Sequence, residues 1–109
     1  MIARIWHGWT TTEKAAAYED IISNRVLPSI ADRGIPGYSG AYLLRREDGD
    51  EVEFATILLF DGWEAVQAFA GDDYEKSYVP PEGRAVLAHY DETVAHYEVQ
   101  LRPSSTTTI

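Results

Sequence analysis

The sequence predicts an α+β fold with the element order β-α-β-β-α-β, and three observations carry that prediction. The first is the stretch from Val52 to Gly71. It opens as a run of β-branched, aromatic and aliphatic residues, then turns at Asp61-Gly62 into a segment whose apolar residues, Ala65, Val66 and Phe69, recur at helical spacing. The second is Asp48-Gly49 between two strand-like runs, a dipeptide suited to a two-residue type I′ hairpin turn. The third is the pair of strand patterns near the ends, Ile2 to Trp9 and Thr93 to Leu101, each separated from the hairpin by a helical pattern. Crossovers of one hand place both helices on one face of a four-stranded antiparallel sheet, which is the ferredoxin-like arrangement.

At 109 residues the chain has the length of one domain, read as residues 1–101 with a tail over 102–109. An apolar content of 45% and a charged content of 25% are those of an ordinary globular protein. No window approaches the roughly 18 consecutive apolar residues of a membrane span. The first residues enter a strand pattern without the basic and apolar regions of a secretory leader, so a cytoplasmic protein is expected. A net charge of -9 argues against a nucleic-acid partner, which requires a basic footprint. The absence of cysteine removes disulfides and thiolate chemistry.

In the first strand Ile2, Arg4, Trp6 and Gly8 share one side and Ala3, Ile5, His7 and Trp9 the other, so both sides carry large apolar groups. Thr10 to Glu13 has the form of a capping box, which predicts a helix start at Thr10. Ala15, Tyr18, Ile22 and Val26 mark the helix's apolar stripe, and Pro28 should kink or break it before Gly34. Tyr38 to Arg46 reads as the second strand. With Asp48 and Gly49 at the centre of the hairpin turn, Arg46 faces Glu51 and Leu44 faces Glu53. The third strand, Val52 to Phe60, is apolar enough to be buried on both faces, and Gly71 closes the second helix as a C-cap glycine. Asp72-Asp73 should cap a short helical turn through Tyr78 that ends at Pro80-Pro81, with one more turn from Glu82.

Read along its whole length, the chain resembles the antibiotic biosynthesis monooxygenase family of the dimeric α+β barrel superfamily. The resemblance rests on Met1 to Trp6, Pro36 to Arg46, Glu51 to Phe54, Phe60 to Gly71 and His96 to Val99. It implies a pocket between sheet and helices, and oxidation of polycyclic phenols without metal, flavin or other cofactor. It also implies a functional Trp at the turn after the third strand, which Trp63 matches. The family's Asn late in that strand falls on Leu59, and its aromatic hydroxyl further along the helix falls on Phe69. The haem-degrading branch uses a His after the Trp as iron ligand, and this chain has none between Trp63 and Asp73.

Proton abstraction from a phenol is first sought at histidine, whose ordinary pKa lies near neutrality. His7, between Trp6 and Trp9, is the expected base, ahead of His89 and His96, with Trp63 as its catalytic companion. Trp9, Tyr42, Phe69, Tyr74 and Tyr78 are the expected contacts to an aromatic substrate. No metal-ligand spacing is present. Glu98 and Arg4, on neighbouring strands, would form a structural ion pair. Two readings follow: a cofactor-independent monooxygenase acting on a phenolic or similar apolar substrate, or a non-catalytic dimeric barrel that binds a small apolar ligand or serves as an accessory in a stress or biosynthetic pathway. In both, a second identical chain covers the helix-free sheet face, and the tail from Ser104 lies along that partner or a sheet edge.

Overall fold

In the computed structural model, which describes residues 1–103, the centre of the sheet is β1 (Ile2–Thr11). It pairs antiparallel along its whole length with β3 (Glu51–Phe60), from Ile2 opposite Phe60 to Thr11 opposite Glu51. On the far side of β3 lies β2 (Tyr38–Asp48). The other edge of β1 carries two short pieces, β4 (His89–Tyr90) and β5 (Ala95–Glu98), both antiparallel to it. The last strand therefore fills the fourth position of the expected sheet in two pieces, and only the second falls within the Thr93 to Leu101 pattern. The tail residues from Ser104 onward lie outside the described residues.

The helices are α1 (Ala15–Ile21), α2 (Leu27–Asp32), α3 (Trp63–Ala70) and the single turn α4 (Pro81–Arg84). Between α1 and α2 the chain winds as one π-helical stretch, Ile22–Val26. Pro28 gives the physical reason. It has no N–H for the carbonyl of Asn24 and its ring crowds that carbonyl, and a widened turn accommodates both without ending the helix. Gly71 closes α3 with φ 78° and donates its N–H to Gln67 O at 2.7 Å.

Side-chain parity assigns the faces. Ile2, Trp6, Val52, Phe54, Leu58 and Phe60 are buried beneath Ala15, Tyr18 and Ile22 of the first helix and Ala65 and Val66 of α3. Both helices thus cover one face, as in the ferredoxin-like pattern. The opposite face carries Ile5, Leu44, Ala55, Ile57 and Tyr97, which line a shallow depression with no covering element among the described residues. β3 is accordingly buried on its helix side, while Ala55, Ile57 and Leu59 on the other side are only half-buried. Among the described residues no helix is long and apolar enough to cross a membrane.

Three local expectations are corrected. Thr10 does not cap the first helix: it remains in β1, where its hydroxyl donates to Val86 O at 2.8 Å, and Thr11 Oγ1 instead accepts the Lys14 N–H at 3.3 Å. The hairpin turn is centred on Gly49-Asp50, because Asp48 pairs with Glu51. Gly49 has φ 66° and among the described residues no non-glycine residue has positive φ, so only the first central position is left-handed, as in a type II′ turn. Arg46 therefore faces Glu53. Finally, residues 72–78 are not a helical turn. They make a bend and one turn, closed by the Lys76 N–H on Asp73 O at 3.2 Å, after which Lys76 is bridged to Thr93 and the Val94 N–H is donated to Glu75 O at 2.8 Å.

Candidate functional site

Two residues interrupt the apolar row beneath the helices. Arg4 lies opposite Leu58 and Thr56 lies opposite Trp6, side by side in the middle of the sheet. The core accordingly divides into two clusters, one around Trp6, Tyr18 and Phe54 and the other around Ile2, Phe60 and Val66. Between them is a cavity of about 400 Å³. The sheet contributes Arg4, Trp6, Thr56 and Leu58 to its lining, and the widened π turn contributes Ile22 and Val26. Tyr18 of α1, α2 with Arg33 just beyond it, Phe69, Val94 and the segment over 77–83 complete it. Most of the lining is apolar, as small-molecule pockets are.

Arg4 is the polar centre of this cavity. It is only 5% exposed, and burial lowers its pKa from the ordinary guanidinium value. Nη1 donates to the carbonyl of Tyr74 and, at 3.1 Å, contacts His96 Nε2, while Nη2 donates to Lys76 O at 3.3 Å. Arginine can only donate, so His96 accepts through Nε2 and its ring proton sits on Nδ1. That requires a neutral imidazole, and burial first, then the charge of Arg4, against a smaller opposing effect of Glu75, lower the His96 pKa. No carboxylate forms an ion pair with Arg4 among the described residues. The expected Arg4–Glu98 pair is absent because Arg4 falls opposite His96 and Glu98 falls opposite Ile2.

The residues expected at the site separate into three groups. Phe69 and Tyr78 line the cavity, Phe69 with Arg4 and Arg33 over its ring at 5.4 and 5.1 Å, and Tyr78 mostly exposed. Trp63 and Tyr74 are not on the lining. They pack with His96 into an aromatic group, with ring centroids 5.4 to 5.7 Å apart, beside the guanidinium of Arg4. His7, Trp9 and Tyr42 lie on the helix-free face: His7 and Trp9 are at odd positions of β1, and Tyr42 pairs with Ile57. The cavity position expected of His7 is thus corrected by the alternation of the strand itself.

On that face His7 belongs to a different constellation. Glu53 Oε2 accepts from His7 Nδ1 and Oε1 accepts from Arg46 Nε, each at 2.7 Å. Burial raises the Glu53 carboxyl, but the hydrogen bonds from Arg46 and His7, with their charges, outweigh it and hold the group below the usual carboxylate range. Nearby, the His89 ring stacks on Trp9 at 4.6 Å and its Nε2 meets Glu51 Oε1 at 2.9 Å. Among the described residues no three His, Cys, Asp or Glu side chains are grouped to hold a metal ion.

Neither a scan against protein-family models nor a search of curated proteins found a match. Solved structures do match. A Bacillus cereus protein provisionally assigned as an antibiotic biosynthesis monooxygenase superposes with a TM-score of 0.68 at 9% identity, covering 98% of each chain. MhuD, a haem degrader of Mycobacterium tuberculosis solved with two haems in its active site, gives 0.62 at 21% identity over 95% of this chain and all of that one. SnoaB, a cofactor-independent oxygenase of Streptomyces nogalater, gives 0.54 at 16% identity over 97% and 98% of the two chains. The resemblance read from the sequence is met at the level of architecture: this chain has the α+β fold of the antibiotic biosynthesis monooxygenase-like structures.

Proposed function

We propose that the chain is a cofactor-independent monooxygenase that takes a small aromatic or phenolic, mainly apolar substrate into the cavity between sheet and helices. The observation that carries this reading is the cavity itself, about 400 Å³ opened in the middle of the core by Arg4 and Thr56. The fold shared with the SnoaB oxygenase supports it. An anthrone-type substrate would lose two hydrogens from its ring carbon and gain one oxygen atom there, while the other atom of O₂ leaves as water with those hydrogens. The substrate supplies the electrons, so the protein need only remove a proton, orient the ring and exclude water. Phe69 and Trp6 serve as ring walls. Proton removal falls to Glu82, the carboxylate on the lining, and Tyr78 lines the cavity from the same segment.

The haem chemistry of MhuD is the competing precedent, and this lining does not fit it. Among the described residues it offers no His, Cys or Met, and burial raises the pKa of its inner phenol, Tyr18, well above the ordinary value. His96 stands outside the lining with Nε2 engaged by Arg4. A lining without histidine also favours a second reading, in which the cavity binds an apolar ligand without turning it over. In either case a second copy of the chain covers the helix-free face.

Oxygen uptake under air with anthrones and naphthols separates the readings. Turnover should fall by about 10² or more in Glu82→Gln. It should also fall in Thr56→Trp, which fills the cavity, and persist in His7→Ala. Binding without uptake across the panel would leave the ligand-binding reading; uptake unchanged in Thr56→Trp would place the chemistry elsewhere.

A further inference from the structure

We infer that the ligand of this cavity is a carboxylic acid, gripped by the side-on fork of Arg4. The inference rests on the cavity being the binding site, and it adds the charge of what binds there. A buried guanidinium costs several kcal/mol unless a counter-charge offsets its lost hydration, and buried arginines are ordinarily matched with a carboxylate. Arg4 has none within the described chain. Its partners are two backbone carbonyls and one neutral imidazole, all acceptors without charge. These occupy both N–H groups of Nη1 and one of Nη2. Nε–H and the second Nη2–H have no partner among the described residues, and Nε and Nη2 are the two nitrogens that hold a carboxylate side-on. Among the described residues no sealed side-chain nitrogen or oxygen lacks a hydrogen bond, so the unpartnered Nε–H is not closed off in packing, and the open space that Arg4 lines is this cavity.

Several further features agree. Arg33 is a second cation on the same lining, with Phe69 between it and Arg4, so a ring bearing an acid group would meet an aromatic wall and two guanidiniums together. Glu82 is the one acidic residue of the lining, and it is exposed on α4 rather than buried beside Arg4. The bonds from Nη1 and Nη2 to residues 74 and 76 hold the guanidinium plane in place before any ligand arrives, which lowers the ordering cost of binding. The net charge of -9 repels an acid at long range, but salt screens that repulsion beyond about 8 Å, so the local guanidinium decides affinity inside the cavity.

The test compares 2-naphthoate with 2-naphthamide, which has the same ring and nearly the same shape but no charge, by calorimetry on the intact chain at neutral pH. The acid should bind about tenfold to a hundredfold tighter than the amide. Arg4→Met should bring that ratio close to one while amide binding survives, and Arg33→Met should lower it less. If Arg4 only staples the 74–76 segment to β1, it would leave the wild-type ratio near one, and that result alone overturns the inference. A ratio that persists in Arg4→Met overturns it equally. Should Arg4→Met fail to fold, the wild-type protein still decides: the ¹⁵N–¹H signal of Arg4 Nε should move on adding naphthoate and stay put on adding naphthamide, and no movement with naphthoate refutes the fork. Naphthol turnover without any acid preference sinks this inference and leaves the oxygenase reading intact. Failure to bind acid, amide or naphthol sinks both.

Discussion

Glu53→Gln should destabilise the protein at neutral pH and progressively less in acid. Glu53 is nearly buried on the helix-free face, with a side chain 10% exposed, and each of its oxygens accepts one bond of 2.7 Å, from Arg46 and from His7. Glutamine keeps one acceptor and turns an NH₂ group toward the other donor. A hydrogen bond to a charged group is worth about 1.5–3 kcal/mol when both partners are buried. Here Arg46 is 71% and His7 38% exposed, so both recover water when released, and the expected loss is discounted to about 1–2 kcal/mol for the whole constellation. The pH dependence follows from the lowered pKa of the folded carboxyl. Such a group stabilises fully above its unfolded value of about 4.3 and loses that contribution as pH falls through its lower folded value. The wild-type advantage in urea unfolding, at one fixed protein concentration, should therefore be present at pH 7 and shrink progressively as pH is lowered below about 4.3. A gap that does not narrow as the solution is acidified, or that is absent at pH 7, would refute the reasoning.

The position of this constellation also shows why the site was harder to read from sequence than the fold. The fold followed from signals that are local and repeated: parity along β1 and β3, helical spacing in Ala65, Val66 and Phe69, and a glycine at the end of α3. Each was legible because one face of each element is buried and the spacing records it. The site depends on register, which the sequence specifies through a single turn. Centring that turn on Asp48-Gly49 put Glu51 opposite Arg46; the observed turn at Gly49-Asp50 puts Glu53 there, in reach of His7 on the next strand. A type II′ turn requires glycine only at its first central position, and Gly49-Asp50 meets that requirement as readily as Asp48-Gly49 meets the other.

Arg4 was legible in a different sense. A cation in the row Ile2, Arg4, Trp6 is the kind of local conflict that marks a functional place; parity puts it on the face opposite His7, but with large apolar groups on both sides of the strand it does not say which side the helices cover, and the burial of Ile2 and Trp6 decides that. His7 drew attention through its residue type and its tryptophan neighbours. The same parity that sets Arg4 on one face turns His7 to the other, so their separation was available from the sequence. The pairing of His96 with Arg4 depended on which residue of the last strand meets β1, and that strand is only four residues long. No periodic signal of that length fixes a register.

Two further outcomes follow from the geometry. Gly37→Ala should cost about 2 kcal/mol or more in urea unfolding, since φ at Gly37 is 87° and an added Cβ would lie 2.9 Å from Ala65 Cβ on α3; a change under about 0.5 kcal/mol would show that the turn relaxes freely. The second concerns the face that carries Glu53. Tyr42, Leu44 and Tyr97 are large apolar side chains exposed there beside Ile5 and Ile57, and at about 25 cal/mol per Å² a patch of this kind is costly to leave wet. A two-fold contact between two such faces buries each residue twice, so one carboxylate placed at its centre appears twice, across from an equally acidic partner chain. Leu44→Glu should therefore convert a dimer at micromolar concentration in sedimentation into a monomer. Because Leu44 and the cavity lie on opposite faces of the sheet, naphthoate binding should survive the change. A wild-type monomer at that concentration, or a variant that remains dimeric, would mean that the exposed apolar row has another purpose than joining two copies of this chain.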